Sequence, residues 1–229
     1  MSVLDDADDF SREGREYRDD RLFYIGCDDR YAPDQYFGFF KMPRIKICVV
    51  PALDDKSHAV HVLEKLRDLD IEDDDERWMV LDTDHCLKPD HFGSLETAIS
   101  EARQMGIRIA ISRPSFEAWL LLHHAPVEKL LSCADADAVG EAIREVLGHY
   151  NKTKLQAVDF PLESVPQACD AAAVHDATVT GGDKPNVNTT RVYKIWQSIV
   201  MKAPLLQLPE CLHEFALKVK GMSIVDEKK

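Results

Sequence analysis

Two acidic residues, Asp82 and Asp84, close the apolar run RWMVLDTD (Arg77–Asp84) and offer the clearest chemistry in the chain. If the strand persists through them, both carboxylates point to one side, because successive strand side chains alternate. Two like charges so placed repel unless a cation sits between them. Hard oxygen donors that leave room for water suit Mg2+, with Mn2+ a close substitute. In parallel α/β sheets ligands bind at the carboxyl ends of strands. Two other apolar runs end in polar groups suited to that edge: Asp28 and Asp29 follow Arg21–Cys27, and Ser112 closes Ile107–Ser112 with Arg113 directly after it. The acidic pair equally suits a strand-to-turn junction, where Asp bonds the backbone.

A second distinctive stretch is SRPSFEAWLLLHH (Ser112–His124). Its apolar spacing alone describes a buried helix. Glu117 and His123 stand apart from that pattern, either as site residues or as satisfied polar groups of the core. His58 and His61 are three apart on a helix but have no further ligand in view. His85, next to Asp84, suits proton transfer or a turn. Lys152 and Lys154 form a short basic element in an acidic chain. Arg191 and Lys194 follow Thr189-Thr190, a pattern that fits phosphate binding at a helix start or plain capping.

The elements that must position these groups follow from periodicity. Strands are predicted at Arg21–Cys27, Arg44–Val50, Arg77–Asp84 and Ile107–Ser112, each an apolar run with aromatic or β-branched residues. Helices are predicted at Asp34–Met42, Lys56–Leu69, Asp90–Met105 and Ser115–His124, with Val60, Leu63, Leu66 and Leu69 forming one apolar stripe. This alternation argues for βαβ units and a mainly parallel sheet of about four strands. Beyond Pro126 the pattern is helical: Asp137–Tyr150, Leu162–Val179, Thr190–Val200 and Pro209–Val219, with a Gly- and Asn-rich loop at Thr180–Asn188. The division expected is an acidic flexible arm at 1–20, an α/β core at 21–160 and a helical extension packed on it at 161–229.

Composition bounds the partners. The formal net charge is −13, and a chain this acidic does not coat nucleic acid without help, because phosphate binding needs a cationic surface. A metal, a local basic patch or a partner subunit must supply it. The six cysteines include no Cys-x-x-Cys pair, which argues against structural zinc and for a reducing, cytoplasmic setting. No apolar run approaches the ~20 residues that span a bilayer, so no membrane role is expected.

Three segments carry a family resemblance, and a fourth fits loosely. Ser112–His124 resembles the Ser-Asn-Pro-x-Phe-Glu-x-Trp-Leu-Leu-x-His signature of the RloB-like family, with Arg113 in place of its Asn. Cys27–Phe37 (CDDRYAPDQYF) resembles its first-strand motif, with Asp28-Asp29 where Glu-Gly is usual and Ala32-Pro33 where Thr-Glu is usual. Tyr150-Asn151-Lys152 resembles its Tyr-x-Lys motif, and the stretch from Lys184 to Tyr193 loosely resembles its closing helix start. That family is similar to Toprim-type proteins, which implies a Toprim-like α/β fold. The resemblance further implies metal binding by Asp28, Asp82 and Asp84, with Glu117 and His123 on the same edge and Lys152 against a phosphate. It implies a Mg2+-dependent nuclease acting on RNA or single-stranded nucleic acid in anti-phage defence, partnered by an ATPase of the ABC or SMC type.

Two other readings fit the same residues. A non-catalytic Toprim module would bind metal or nucleotide within a defence complex, a use consistent with Asp28 being one methylene shorter than Glu. A phosphohydrolase of the haloacid-dehalogenase kind would use Asp82 as nucleophile with Asp84 and Ser112. Against the latter, two predicted strands precede the acidic pair.

Overall fold

The computed structural model describes residues 20–51, 58–86 and 92–222. The acidic arm expected at 1–20 lies almost entirely outside them. In chain order the elements are β1 (Arg21–Cys27), α1 (Ala32–Gly38), β2 (Ile45–Pro51), α2 (Ala59–Arg67), β3 (Glu76–Asp82), α3 (Thr83–Cys86), α4 (Phe92–Gln104), β4 (Arg108–Arg113) and α5 (Glu117–Leu122). There follow α6 (Val127–Leu131), α7 (Ala136–Leu147), α8 (Val165–Asp176), β5 (Thr189–Thr190), α9 (Tyr193–Lys202) and α10 (His213–Lys220), joined by short 3-10 turns.

The five strands form one sheet in the order β2-β1-β3-β4-β5. The first four are parallel, and β5 is antiparallel to β4 through Ser112↔Thr190 and Arg113↔Thr189. The architecture is α/β and mainly parallel, consistent with the Toprim-like expectation. The fifth strand is an addition: Thr189 and Thr190 pair with β4, and the helix predicted to begin at Thr190 begins at Tyr193. The central strands β1 and β3 are buried on both faces, and their near-continuous apolar runs are what such burial demands.

From β1 the chain goes out to β2 on one side, then crosses back over β1 to β3 on the other. The two crossover helices pack on opposite faces. Tyr36 and Phe37 of α1 join one core with Phe23, Ile25 and the helices from α5 onward. Ala59, Val62, Leu63 and Leu66 of α2 join a second with Leu95, Ala98, Ile99 and Ala102 of α4. Both stripes follow the i, i+3, i+4, i+7 spacing of a helix laid on a sheet. The gap where the connection reverses lies between the carboxyl ends of β1 and β3, the general ligand position of open α/β sheets.

The C-terminal helices share the first core. Trp196 of α9 meets Phe40 at 4.9 Å between ring centroids, and Tyr36 at 6.5 Å. Asp176 at the end of α8 binds the Arg191 guanidinium at 2.9 Å and accepts the Tyr193 hydroxyl at 3.0 Å. Burial favours its protonated form, but Arg191, Tyr193 and Lys194 outweigh it and hold the carboxyl below its usual range. This pair joins α8 to the start of α9. Among the described residues no helix is long and apolar enough to cross a membrane.

Candidate metal centre

The ends of β1 and β3 are tied by a side chain. Asp28 Oδ2 accepts the backbone N–H of Asp82 at 3.0 Å, one step beyond the ladder pair Cys27↔Val80. Asp29 turns the chain into α1: its Oδ1 accepts the N–H groups of Tyr31 (2.7 Å) and Ala32 (3.4 Å). Such local carboxylate–backbone bonds are the usual role of Asp at a turn. Its Oδ2 instead lies 2.6 Å from the Lys152 ammonium.

Glu117 enters from the next strand. Pro114 follows β4 directly, and the chain turns into α5, whose six residues are all buried. Glu117 is the first of them. Its Oε1 accepts the Tyr150 hydroxyl at 3.0 Å and lies 3.5 Å from Lys152 Nζ, while its Oε2 is buried with no hydrogen-bond partner. Asp82 Oδ1 is likewise buried and unpartnered. Ligand oxygens of Asp29, Asp82 and Glu117 all lie within 4.8 Å of one another.

Buried carboxylates gathered like this are costly unless a cation joins them. Burial, followed by the charges of Asp28, Glu117 and Asp29, pushes the Asp82 carboxyl well above its ordinary range. Burial likewise raises Asp28 to about 7, against the opposing hydrogen bond from Asp82 N–H. Burial works against the Lys152 charge, but Glu117, Asp29 and Asp82 outweigh it and hold the lysine protonated. Burial and the charge of Glu117 raise Tyr150 too, so it remains a donor. The donor set is all oxygen, and it includes two buried oxygens without partners. That chemistry fits a hard divalent cation.

Four of the residues singled out from sequence meet or border this group. Asp82 and Glu117 belong to it, Asp28 fixes Asp82 from behind, and Lys152 bonds into it. Asp84 is not one of the three converging carboxylates: β3 ends at Asp82, and Thr83 and Asp84 begin α3. The turn is held by Pro114, whose carbonyl accepts the Asp84 N–H at 3.0 Å and the Thr83 hydroxyl at 3.3 Å. Asp84 is exposed and lines a cleft of about 760 Å3, together with Glu117, Asp137, Arg144, Tyr150 and Lys152. The carboxylate group opens to solvent through Glu117 and Lys152.

His123 is not brought to the carboxylates by any hydrogen bond or ion pair seen among the described residues. Its Nδ1 lies 2.7 Å from Ser164 Oγ and its Nε2 3.0 Å from Tyr36 Oη. Ser164 donates its own proton to Pro161 O, so His123 donates from Nδ1 and accepts from Tyr36 at Nε2. Burial, and then His124, lower its pKa to about 3. Arg113 bonds the carbonyl of Pro185, and the Ser112 hydroxyl bonds Thr190 at 2.9 Å. His61 pairs with Glu64 on an exposed face. The side chain of His85 lies outside the described residues.

Asp29 is the member that sequence reasoning passed over as a ligand. Both acids after β1 reach the end of β3, Asp28 at the Asp82 N–H and Asp29 at the carboxylates. Which of them meets the carboxylates depends on the ladder register.

Against known proteins, the model of the RloB-like protein family matches residues 23–199. No curated protein and no solved structure matches the chain. The matched span runs from β1 into α9 and includes Asp28, Asp29, Asp82, Glu117 and Lys152. The chain therefore belongs to the RloB-like protein family.

Proposed function

We propose that this protein is a Mg2+-dependent nuclease that cleaves phosphodiester bonds in RNA or single-stranded nucleic acid. One observation carries the reading: three buried carboxylates, Asp29, Asp82 and Glu117, converge within 4.8 Å where the sheet connection reverses. Asp29 Oδ2, Asp82 Oδ1 and Glu117 Oε2 are the oxygens that would hold the cation, Mg2+ or Mn2+. When bound, the ion supplies charge stabilisation at phosphoryl oxygens and a bound water of lowered pKa.

The remaining work belongs to the chain. Asp28 fixes the Asp82 backbone through its 3.0 Å hydrogen bond. Tyr150 orients Glu117 by donating to Oε1. Lys152 lies at the cleft wall and supplies the cation that meets a phosphate oxygen. Asp84, on the same wall, faces the solvent from which a nucleophile arrives.

The setting belongs to the same proposal. The family resemblance suggests anti-phage defence with an ABC- or SMC-type ATPase as partner. The net charge of −13 supports such a partner, because a cationic surface for nucleic acid must come from elsewhere. Cys27, Cys133, Cys169 and Cys211 are thiols without disulfides, which supports a cytoplasmic location.

The direct test is cleavage of single-stranded RNA and DNA by the purified protein, alone and with its partner. Activity with Mg2+ or Mn2+ that EDTA and Asp82→Ala both abolish is the expected result. Cleavage unchanged by both treatments overturns the mechanism. Tight metal binding with no turnover, alone or with the partner, would instead indicate a non-catalytic Toprim module. A phosphoaspartate trapped at Asp82 would indicate a phosphohydrolase.

A further inference from the structure

Lys152 holds one of the carboxylate oxygens of the candidate metal centre. Its Nζ lies 2.6 Å from Asp29 Oδ2 and 3.5 Å from Glu117 Oε1. Those residues are two of the three whose oxygens converge. The other oxygen of Asp29 is committed to the N–H groups of Tyr31 and Ala32 at the start of α1. A metal recruiting Asp29 therefore needs Oδ2, the oxygen that the ammonium now holds. Mg2+ takes its oxygen ligands at about 2.0–2.1 Å, and two cations on one carboxylate oxygen, with little solvent between them, repel strongly.

The lysine is built to move without its backbone. Gln35 of α1 clamps the segment from both directions: its Nε2 donates to Lys152 O at 3.1 Å, and its Oε1 accepts Leu155 N–H at 2.9 Å. Asn151 Oδ1 closes the turn further by accepting Thr153 N–H at 3.0 Å. The side chain itself is 39% exposed and borders the cleft. A flexible four-carbon stem on a fixed pivot can withdraw its ammonium from the carboxylates into that cleft.

We propose that Lys152 is a resident counter-ion that exchanges with the divalent cation. Without metal it neutralises Asp29 and Glu117; metal binding ejects its ammonium into the cleft, where it meets an anionic group of the substrate. The proposal rests on the metal-centre reading above and adds an order to it, metal first and substrate anion second. The phosphate clamp then forms only in the metal-loaded protein.

The test needs no nucleic acid. Mn2+ binding to the full chain is measured by calorimetry for wild type, Lys152→Met, Lys152→Arg and Lys154→Ala, with melting curves confirming that each is folded. Lys152→Met should bind about tenfold tighter, the order expected on removing one positive charge beside a divalent ion. Lys152→Arg should retain the weaker affinity, and Lys154→Ala should stay within about twofold of wild type because an exposed charge farther out is screened by solvent. In lysine-labelled wild type, the side-chain resonance lost in Lys152→Met should shift on Mg2+ addition with the midpoint of binding. Equal or weaker Mn2+ binding by Lys152→Met, or a resonance unmoved at saturating Mg2+, overturns the exchange and leaves the metal centre standing. Failure of every variant to bind Mn2+ overturns both.

Discussion

The carboxylate of Asp28 accepts the backbone N–H of Asp82 at 3.0 Å, so the residue after β1 sets the position of the last residue of β3. Asp28 acts on the cluster through that bond and through its charge, which can be separated. Asp28→Asn retains an acceptor and removes the charge; Asp28→Ala removes both. Groups that orient a metal ligand are typically worth about 10–100-fold in affinity. Calorimetric titration with Mn2+ should show that loss for Asp28→Ala, and a smaller change for Asp28→Asn. Equal loss in the two variants would mean that charge, not orientation, is what Asp28 supplies.

Burial of Asp82 without a counter-ion makes the metal-free protein pH-sensitive. The folded pKa of Asp82 is raised, and that of Asp28 is raised to about 7. The folded state thus retains protons that the unfolded state releases near the ordinary Asp value of about 3.9. The contribution of these groups to stability therefore falls as pH rises from about 4, through about 7 for Asp28 and onward until Asp82 has also released its proton. In EDTA, urea midpoints should drop across that window, and Asp82→Asn should flatten the drop. Saturating Mn2+ at pH 7.5 should restore stability in wild type, by about 2.7 kcal/mol at a hundredfold excess over Kd, and should do nothing for Asp82→Asn.

His123 gives the opposite slope. Its folded pKa is lowered to about 3, so the unfolded state takes up a proton first, near 6.5. Stability from the neutral, buried ring is complete above about pH 6.5 and is lost as pH falls toward 3. At pH 4 the loss is on the order of 3 kcal/mol. His123→Gln should be less stable than wild type at pH 7, because the bonds to Tyr36 and Ser164 are disturbed, yet should lose less between pH 7 and pH 4. A wild-type protein equally stable at both values would contradict the neutral, buried ring.

Much of the fold is legible because hydrophobic periodicity is local. Leu63 and Leu66 announce the α2 stripe, and the apolar runs of β1 and β3 announce strands buried on both faces. Asp82 and Glu117 are legible as candidates because each stands where an apolar element begins or ends. What escapes is set by contacts distant in sequence. That β3 stops at Asp82 rather than Asp84 depends on the carbonyl of Pro114. The choice of Asp29 over Asp28 depends on the register of β1 against β3 and on Lys152, more than a hundred positions later. The pairing of Thr189 and Thr190 with β4 rests on only two residues, too short a run for any period to reveal. His123 shows the converse: its place in a chemically suggestive motif is real, but Tyr36 and Ser164, which occupy its nitrogens, come from elsewhere in the chain.

Gly26 tests how closely the α2 face must approach the strand that delivers Asp28 and Asp29. A Cβ built there would come within 2.8 Å of Val62 Cγ1 and 2.9 Å of Leu66 Cδ1, nearer than such atoms tolerate. Added bulk at this point must push α2 off β1 or shift β1 within the sheet. Overpacking a core of this kind costs about 1–3 kcal/mol, and Gly26→Val should lie at or above the upper end, with Gly26→Ala lower. Because Asp28 is two residues further along, just past the end of the same strand, the strain should also reach the carboxylate group. In Gly26→Ala the midpoint of urea denaturation should fall and Mn2+ affinity should weaken together. A variant that loses stability while binding Mn2+ like wild type would show that the sheet edge is insulated from the packing behind it.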